Sequence, residues 1–145
     1  MKNYPINIRD ALYGSRTEGN KTYYRAKEGE KIHYVDVISL YPYICKYGKL
    51  SLGHPKVYVG ADCPPDCFDR EGIIKCKVLP PRRLYHPVLP YKSNSKLMLP
   101  LCSASADTMN QGKCTHYDEE RCIFVTCVLD EVRKAVEMGY CNECV

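Results

Sequence analysis

The chain of 145 residues is predicted to fold in the α+β class, as an antiparallel sheet with packed helices. Three features lead there: a β-rich stretch, Lys31–Ile38, that runs straight into helix-forming residues; an alternating strand at Ile74–Val78; and a helical tail set apart from the strands.

Residues 1–29 are polar and read as a lead-in segment, with a short helical or extended element around Ile8–Tyr13 and a loop over Gly14–Asn20. Lys31–Ile38 is dense in β-branched and aromatic residues and has the length of a strand. Ser39 is placed to cap a following helix, Pro42 suits its first turn, and Tyr43, Ile44 and Tyr47 share one face before Gly48 stops it. Val57–Val59 is a further strand candidate. In Gly72–Leu79, Ile74, Cys76 and Val78 fall on one face and Lys75 and Lys77 on the other, the pattern of a half-buried strand that Pro80-Pro81 ends. Leu84–Leu89 and Lys96–Leu101 are shorter extended candidates, with Lys92–Ser95 as a hairpin loop. A loop over Cys102–His116 then precedes a mostly helical tail. There Asp118-Glu119-Glu120 suits a helix start, and Asp130 caps a helix Glu131–Met138 that Gly139 terminates.

Composition narrows the function classes. With 45% hydrophobic and 26% charged residues, the chain matches neither disordered nor membrane proteins, and no apolar run approaches the roughly 20 residues of a spanning helix. Met1–Pro5 lacks the apolar stretch of a signal peptide, so the ten cysteines are expected to be reduced intracellular thiols rather than a disulfide framework. Thirteen tyrosines against two phenylalanines and no tryptophan favour aromatic surfaces that also hydrogen-bond. The net charge of +4 is uneven: residues 1–101 carry 17 Lys and Arg against 9 Asp and Glu, and residues 102–145 carry 4 against 8. A basic stretch suits a polyanion, although solvated surface charge is the plainer reading.

The chemistry concentrates in Asp36-Val37-Ile38-Ser39-Leu40-Tyr41-Pro42. A carboxylate at the end of a buried strand, just before a helix N-terminus, sets an oxygen ligand beside free backbone N–H groups. Such a corner suits Mg²⁺ and the phosphates it bridges. Asp36 is the candidate ligand, joined by the Val37 carbonyl. Alone, such an aspartate would more simply cap the turn. The whole string Asp-x-x-Ser-Leu-Tyr-Pro resembles the first carboxylate motif of the palm in family B DNA polymerases.

The resemblance widens to Tyr34–Tyr43, Lys46–Lys49, Gly53-His54-Pro55, Gly72–Pro81, Tyr85–Pro90 and Asp130–Tyr140, and points to the protein-primed branch of phages, organellar plasmids and mobile elements. It implies a partial polymerase palm that binds DNA template-primer and deoxynucleoside triphosphates. Asp36 would be catalytic and hold Mg²⁺, Val37, Ser39, Leu40 and Tyr41 would contact the nucleotide, and the Tyr41 ring would lie under its sugar and reject a 2′-hydroxyl. Residues 30–59 would be the palm segment, and 60–145 would resemble the insertion that contacts a terminal priming protein. Upstream, the family's template-touching Tyr-x-Gly-Gly-like segment falls on Leu12–Thr17, which assigns DNA contact to Tyr13, Gly14 and Arg16. Only Gly14 matches that pattern in register; Ser15 replaces the second glycine. A Tyr-x-Asp-Thr-Asp hairpin, which supplies the second carboxylate, and a Lys-x-x-x-Asn-Ser-x-Tyr-Gly helix, which grips the triphosphate, occur nowhere in the sequence. One carboxylate does not clamp two metal ions, so the expectation is a polymerase fragment inactive alone.

Cys102, Cys114 and His116 form a C-x11-C-x-H array close to zinc-ligand chemistry; the resemblance to mobile-element relatives implies a further cysteine three residues after the first, where this chain has Ser105, a poorer zinc ligand that leaves the set incomplete. The alternative function is therefore a zinc-supported module that binds nucleic acid or protein. Cys63/Cys67 and Cys141/Cys144 are other thiol pairs, and Cys45 and Cys76 are expected in the core. Arg82 and Arg83, extended by Lys92 and Lys96, are candidate contacts to DNA or the priming protein. His33 is expected to pack beside the palm, and His54 and His86, each before a proline, to lie in turns.

Overall fold

The structure, a computed structural model, describes residues 6–14, 16–17, 19 and 21–144, with the side chains of Glu143 and Cys144 left aside. Ser15 and parts of the Gly14–Asn20 loop therefore lie outside the described residues, as does Met1–Pro5. The chain forms two compact units, one from residues up to Tyr13 together with His54 onward, the other from Gly14–Gly53.

The smaller unit is built on one helix, α1 (Leu40–Tyr47). Lys31–Ile38, expected as a buried strand, is extended but joins no sheet among the described residues, and its side chains are exposed. Residues of high β propensity form a strand only where their N–H and C=O groups find a ladder partner, and none is present here. The outcome is open apolar surface: Tyr34 is 94% and Ile38 87% exposed, and α1 buries no side chain. Cys45 and His33, expected in packed positions, are exposed for the same reason. Gly48 ends the helix by close approach. A Cβ there would stand 2.5 Å from the Ile44 carbonyl oxygen, which accepts the Gly48 N–H at 2.7 Å.

The larger unit has the core. Strand β1 (Ile73–Leu79) is central in a three-stranded antiparallel sheet, and a hairpin of β2 (Tyr91–Ser93) and β3 (Lys96–Met98) forms a second sheet. After two short helices, α2 (Ser103–Asp107) and α3 (Asp118–Arg121), come β4 (Ile123–Val128), α4 (Leu129–Glu137) and β5 (Cys141–Cys144). β4 and β5 flank β1, with Ile73 opposite Val128 and Leu79 opposite Cys141, so α4 crosses between two strands that run parallel with β1 inserted between them.

Alternation decides what packs. Ile74, Cys76 and Val78 of β1 meet Ile123, Val125 and Cys127 of β4 on the buried face, and Val132 and Ala135 of α4 cover them with Leu89, Leu129 and Tyr140. Full burial of Val78, Ile123 and Val132 contributes roughly 1.5–3 kcal/mol each. The expected face of β1 is thus observed, with Lys75 outward. A short 3-10 turn, Ile8–Ala11, packs on β4 through buried Ala11, and the Asn7 side chain accepts its Arg9 N–H at 3.2 Å.

Several further expectations are corrected here. Leu84–Leu89 and Val57–Val59 are irregular, since neither finds a strand partner among the described residues; Leu89 instead plugs the core. The Cys102–His116 loop contains α2, capped by the Cys102 sulfur. β4 and β5 lie within the tail expected to be helical, because Ile123–Val128 can pair with β1. α4 begins at Leu129 with Val128 at its cap position, and Asp130 sits in the first turn, bonded to Arg133. The hairpin turn tightens to Asn94-Ser95, both with positive φ (50° and 62°), the two-residue geometry that suits strand twist. Among the described residues no helix is long and apolar enough to cross a membrane.

Candidate functional site

Two groups of residues carry chemistry, one in each unit. In the smaller unit, the chain leaves its extended stretch at Ser39, which is left-handed (φ 60°, ψ 28°). For a residue with a Cβ that conformation costs about 1–2 kcal/mol. Ser39 occupies the cap position, as expected, but its side chain makes no capping bond; its carbonyl instead accepts the Tyr43 N–H at 2.9 Å. The sharp turn brings Val35, Asp36, Val37, Ser39, Leu40, Tyr41 and Pro42 around one shallow, open concavity. Asp36, Val37, Ser39, Leu40 and Tyr41 are therefore brought together, although all are exposed rather than set at a buried strand end.

The remaining candidate DNA contacts are placed separately. Tyr13 is half-buried in the larger unit, where burial, then the neighbouring Cys127, Glu131 and Asp10, raise its pKa. Gly14 and Arg16 are exposed in the smaller unit. Arg83 is exposed, whereas Arg82 is committed: it donates to Asp118 at 2.6 Å and to the His116 carbonyl at 3.3 Å. Arg121 and Arg82 together hold the Asp118 carboxyl below the usual carboxylate range.

In the larger unit, Cys102, Cys114 and His116 converge, with one donor atom from each within 4.8 Å of the others. This is the one such group of three or more His, Cys, Asp or Glu side chains among the described residues. Both sulfurs lie 3.5 Å from His116 Nδ1, and Ser105 Oγ lies 3.2 Å from the same nitrogen. Cys102 is buried and accepts the Ser105 N–H at 3.3 Å. Contacts with the Ser105 hydroxyl, then with His116 and Cys102, lower the Cys114 thiol to about 6. The segments that carry these groups are pinned by others. Ser103 Oγ reaches the carbonyls of Glu120 (3.0 Å) and Cys122 (2.7 Å), and Arg121 donates to Leu101 O at 3.3 Å.

Sequence reasoning missed Arg121. It is only 3% exposed, and its guanidinium ties Pro80 O (2.7 Å), Leu101 O and Asp118 (2.8 Å) into one network. An arginine in an acidic run reads as a solvated residue, and only the return of the chain past Pro80 reveals its burial.

Comparison with known families sets the class. The family model for DNA polymerase type B, organellar and viral, matches residues 2–145, and the chain belongs to that family. The family's chemistry is nucleotidyl transfer, with DNA and deoxynucleoside triphosphates as partners and divalent metal ions in use. No curated protein matches the chain, and no solved structure does.

Proposed function

We propose that the chain supplies the first-carboxylate corner of a protein-primed type B DNA polymerase, with Asp36 as a metal-binding catalytic residue and Val37, Ser39, Leu40 and Tyr41 facing the incoming nucleotide. The observation that carries this reading is the strained Ser39 turn, which gathers all of these residues around one concavity inside a family match that spans the chain. Backbone strain of this kind persists where a site needs it.

The donor set suits a hard cation. A carboxylate and a backbone carbonyl are oxygen ligands of the kind Mg²⁺ takes, and Asp36 and Val37 would hold one. Bound magnesium would neutralise charge on the phosphates and on the reacting oxygens. Asp36 belongs to no group of three or more ligating side chains among the described residues, and the 145 residues lack the second-carboxylate pattern. The corner is thus one half of a two-metal arrangement, and the chain by itself is inactive in nucleotide incorporation.

Tyr41 contributes a flat, 73% exposed ring on the wall of the same concavity. It positions the sugar and excludes a 2′-hydroxyl. In a polymerase completed with the downstream palm, Tyr41→Ala is expected to reduce discrimination against ribonucleotides by about 10-fold or more, equivalent to roughly 1.4 kcal/mol. Competition between ribo- and deoxyribonucleoside triphosphates measures it, and unchanged selectivity counts against the role. Residues 60–145, within the larger unit, then correspond to the insertion that meets the terminal priming protein, with Arg83 as an exposed cation available to DNA or to that protein.

A further inference from the structure

The thiol–imidazole group of the larger unit is not used by the polymerase reading, and its geometry has a chemical meaning of its own. His116 Nδ1 has either one lone pair or one proton, yet three polar atoms surround it: Cys102 Sγ at 3.5 Å, Cys114 Sγ at 3.5 Å and Ser105 Oγ at 3.2 Å. A single hydrogen bond satisfies one of these neighbours at most. A metal ion at their centre satisfies all of them.

The distances agree with that solution. With zinc–sulfur bonds of about 2.3 Å and zinc–nitrogen or zinc–oxygen bonds of about 2.0 Å, the edges of a tetrahedron are about 3.5 Å from sulfur to nitrogen and about 3.3 Å from oxygen to nitrogen. The observed edges at Nδ1 are 3.5, 3.5 and 3.2 Å. Thiolate and imidazole donors select zinc over magnesium or calcium, so the group stands apart from the oxygen ligands of the Asp36 corner.

We propose that Cys102, Cys114 and His116, through Nδ1, bind one zinc ion, with the Ser105 hydroxyl oxygen as the fourth ligand. Both thiols give up their protons to solvent on binding. The ligand segments are held close by bonds that involve no ligand side chain. Ser103 joins the start of α2 to the carbonyls of Glu120 and Cys122, Arg121 holds Leu101, and Arg82 holds the carbonyl of His116. The Ser105 N–H points at Cys102 Sγ and offsets charge on that sulfur. With all four positions filled by protein, the zinc is a structural clip between α2 and the 114–116 segment. The proposal is independent of the polymerase reading, because it rests on a different unit and a different donor chemistry.

The test is a titration of the reduced, metal-free full chain with zinc against a chromophoric chelator, paired with cobalt(II) substitution to report the ligand field. One equivalent is expected to bind, with tetrahedral cobalt bands. Cys102→Ala and His116→Ala are each expected to weaken zinc by on the order of 100-fold or more, since even outer-shell changes cost 10–100-fold. Ser105→Cys exchanges oxygen for sulfur, and is expected to tighten zinc at least about 10-fold and to add sulfur character to the cobalt spectrum. Misfolding cannot imitate that gain. Failure of the wild-type chain to take up one equivalent would overturn the site, as would full retention of zinc by both Cys102→Ala and His116→Ala. A Cys102–Cys114 disulfide in the chain as purified would do the same, and a Ser105→Cys variant with unchanged affinity and cobalt bands would remove Ser105 from the ligand set.

Discussion

Glu131 shows how one residue can couple this fold to pH. It lies in the first turn of α4, with its Oε2 buried and unpartnered and Cys127 and Tyr13 as neighbours. Burial raises its pKa, against a backbone bond from Val128 that lowers it. A raised carboxyl pKa means that the folded chain holds the proton more tightly than the unfolded one. This group therefore favours folding at low pH, and that contribution fades as pH rises through the raised value. Glu131→Gln is expected to raise Tm at pH 7, with the difference gone below the ordinary glutamate value of about 4.3; thermal melts of both chains across pH 4–8 check it. An equal shift at every pH would mean that ionisation is not the cause. Neither this burial nor that of Arg121 was legible in the sequence, because each depends on which strand returns to pack over the residue. Asp36, Ser39 and Tyr41 were legible as a string, yet the left-handed Ser39 backbone was not: serine carries no signal for it, and the position reads equally well as an ordinary cap.

At the scale of elements, local rules succeeded where a partner was present. β1 was legible because alternation of Ile74, Cys76 and Val78 with lysines is the pattern a half-buried strand needs, and both neighbours exist. Lys31–Ile38 has equal β propensity and no ladder partner among the described residues, so propensity alone left it extended and open. Ile123–Val128 carries a similar signal, hidden by the acidic helix start before it and the helix after it. The C-terminus of α4 was read correctly. Gly139 has φ 88°, the Tyr140 N–H reaches the Ala135 carbonyl at 3.1 Å, and the Gly139 N–H reaches that of Val136 at 2.9 Å. This paired closure requires a left-handed residue. Gly139→Ala is expected to destabilise the chain by about 1–2 kcal/mol in urea unfolding, with the slope unchanged; no loss of stability would mean that the turn relaxes freely.

At the scale of the molecule, the two units differ in kind. The larger one has a closed core and a buried arginine that joins the end of β1, the Leu101 segment and α3. Arg121→Ala leaves the carbonyls of Pro80 and Leu101 short of a donor and is expected to cost about 2–4 kcal/mol by denaturant unfolding. A near-neutral effect would show that water replaces the guanidinium. The smaller unit keeps its apolar residues exposed around Asp36, a contiguous apolar surface of the kind that marks an interaction face. The family itself was legible from the Asp36–Pro42 string and the segments that extend the resemblance around it, while the zinc-type cluster was legible only as spacing until the fold brought Ser105 to His116. The most direct measurement is template-directed nucleotide incorporation by this chain joined to a type B palm segment that carries the Tyr-x-Asp-Thr-Asp hairpin. The joined protein is expected to extend a primed template, and Asp36→Ala to reduce the rate by on the order of 1,000-fold or more, equivalent to at least about 4 kcal/mol of transition-state stabilisation. Incorporation that survives Asp36→Ala at a comparable rate would contradict the assignment of this corner as half of the catalytic metal site.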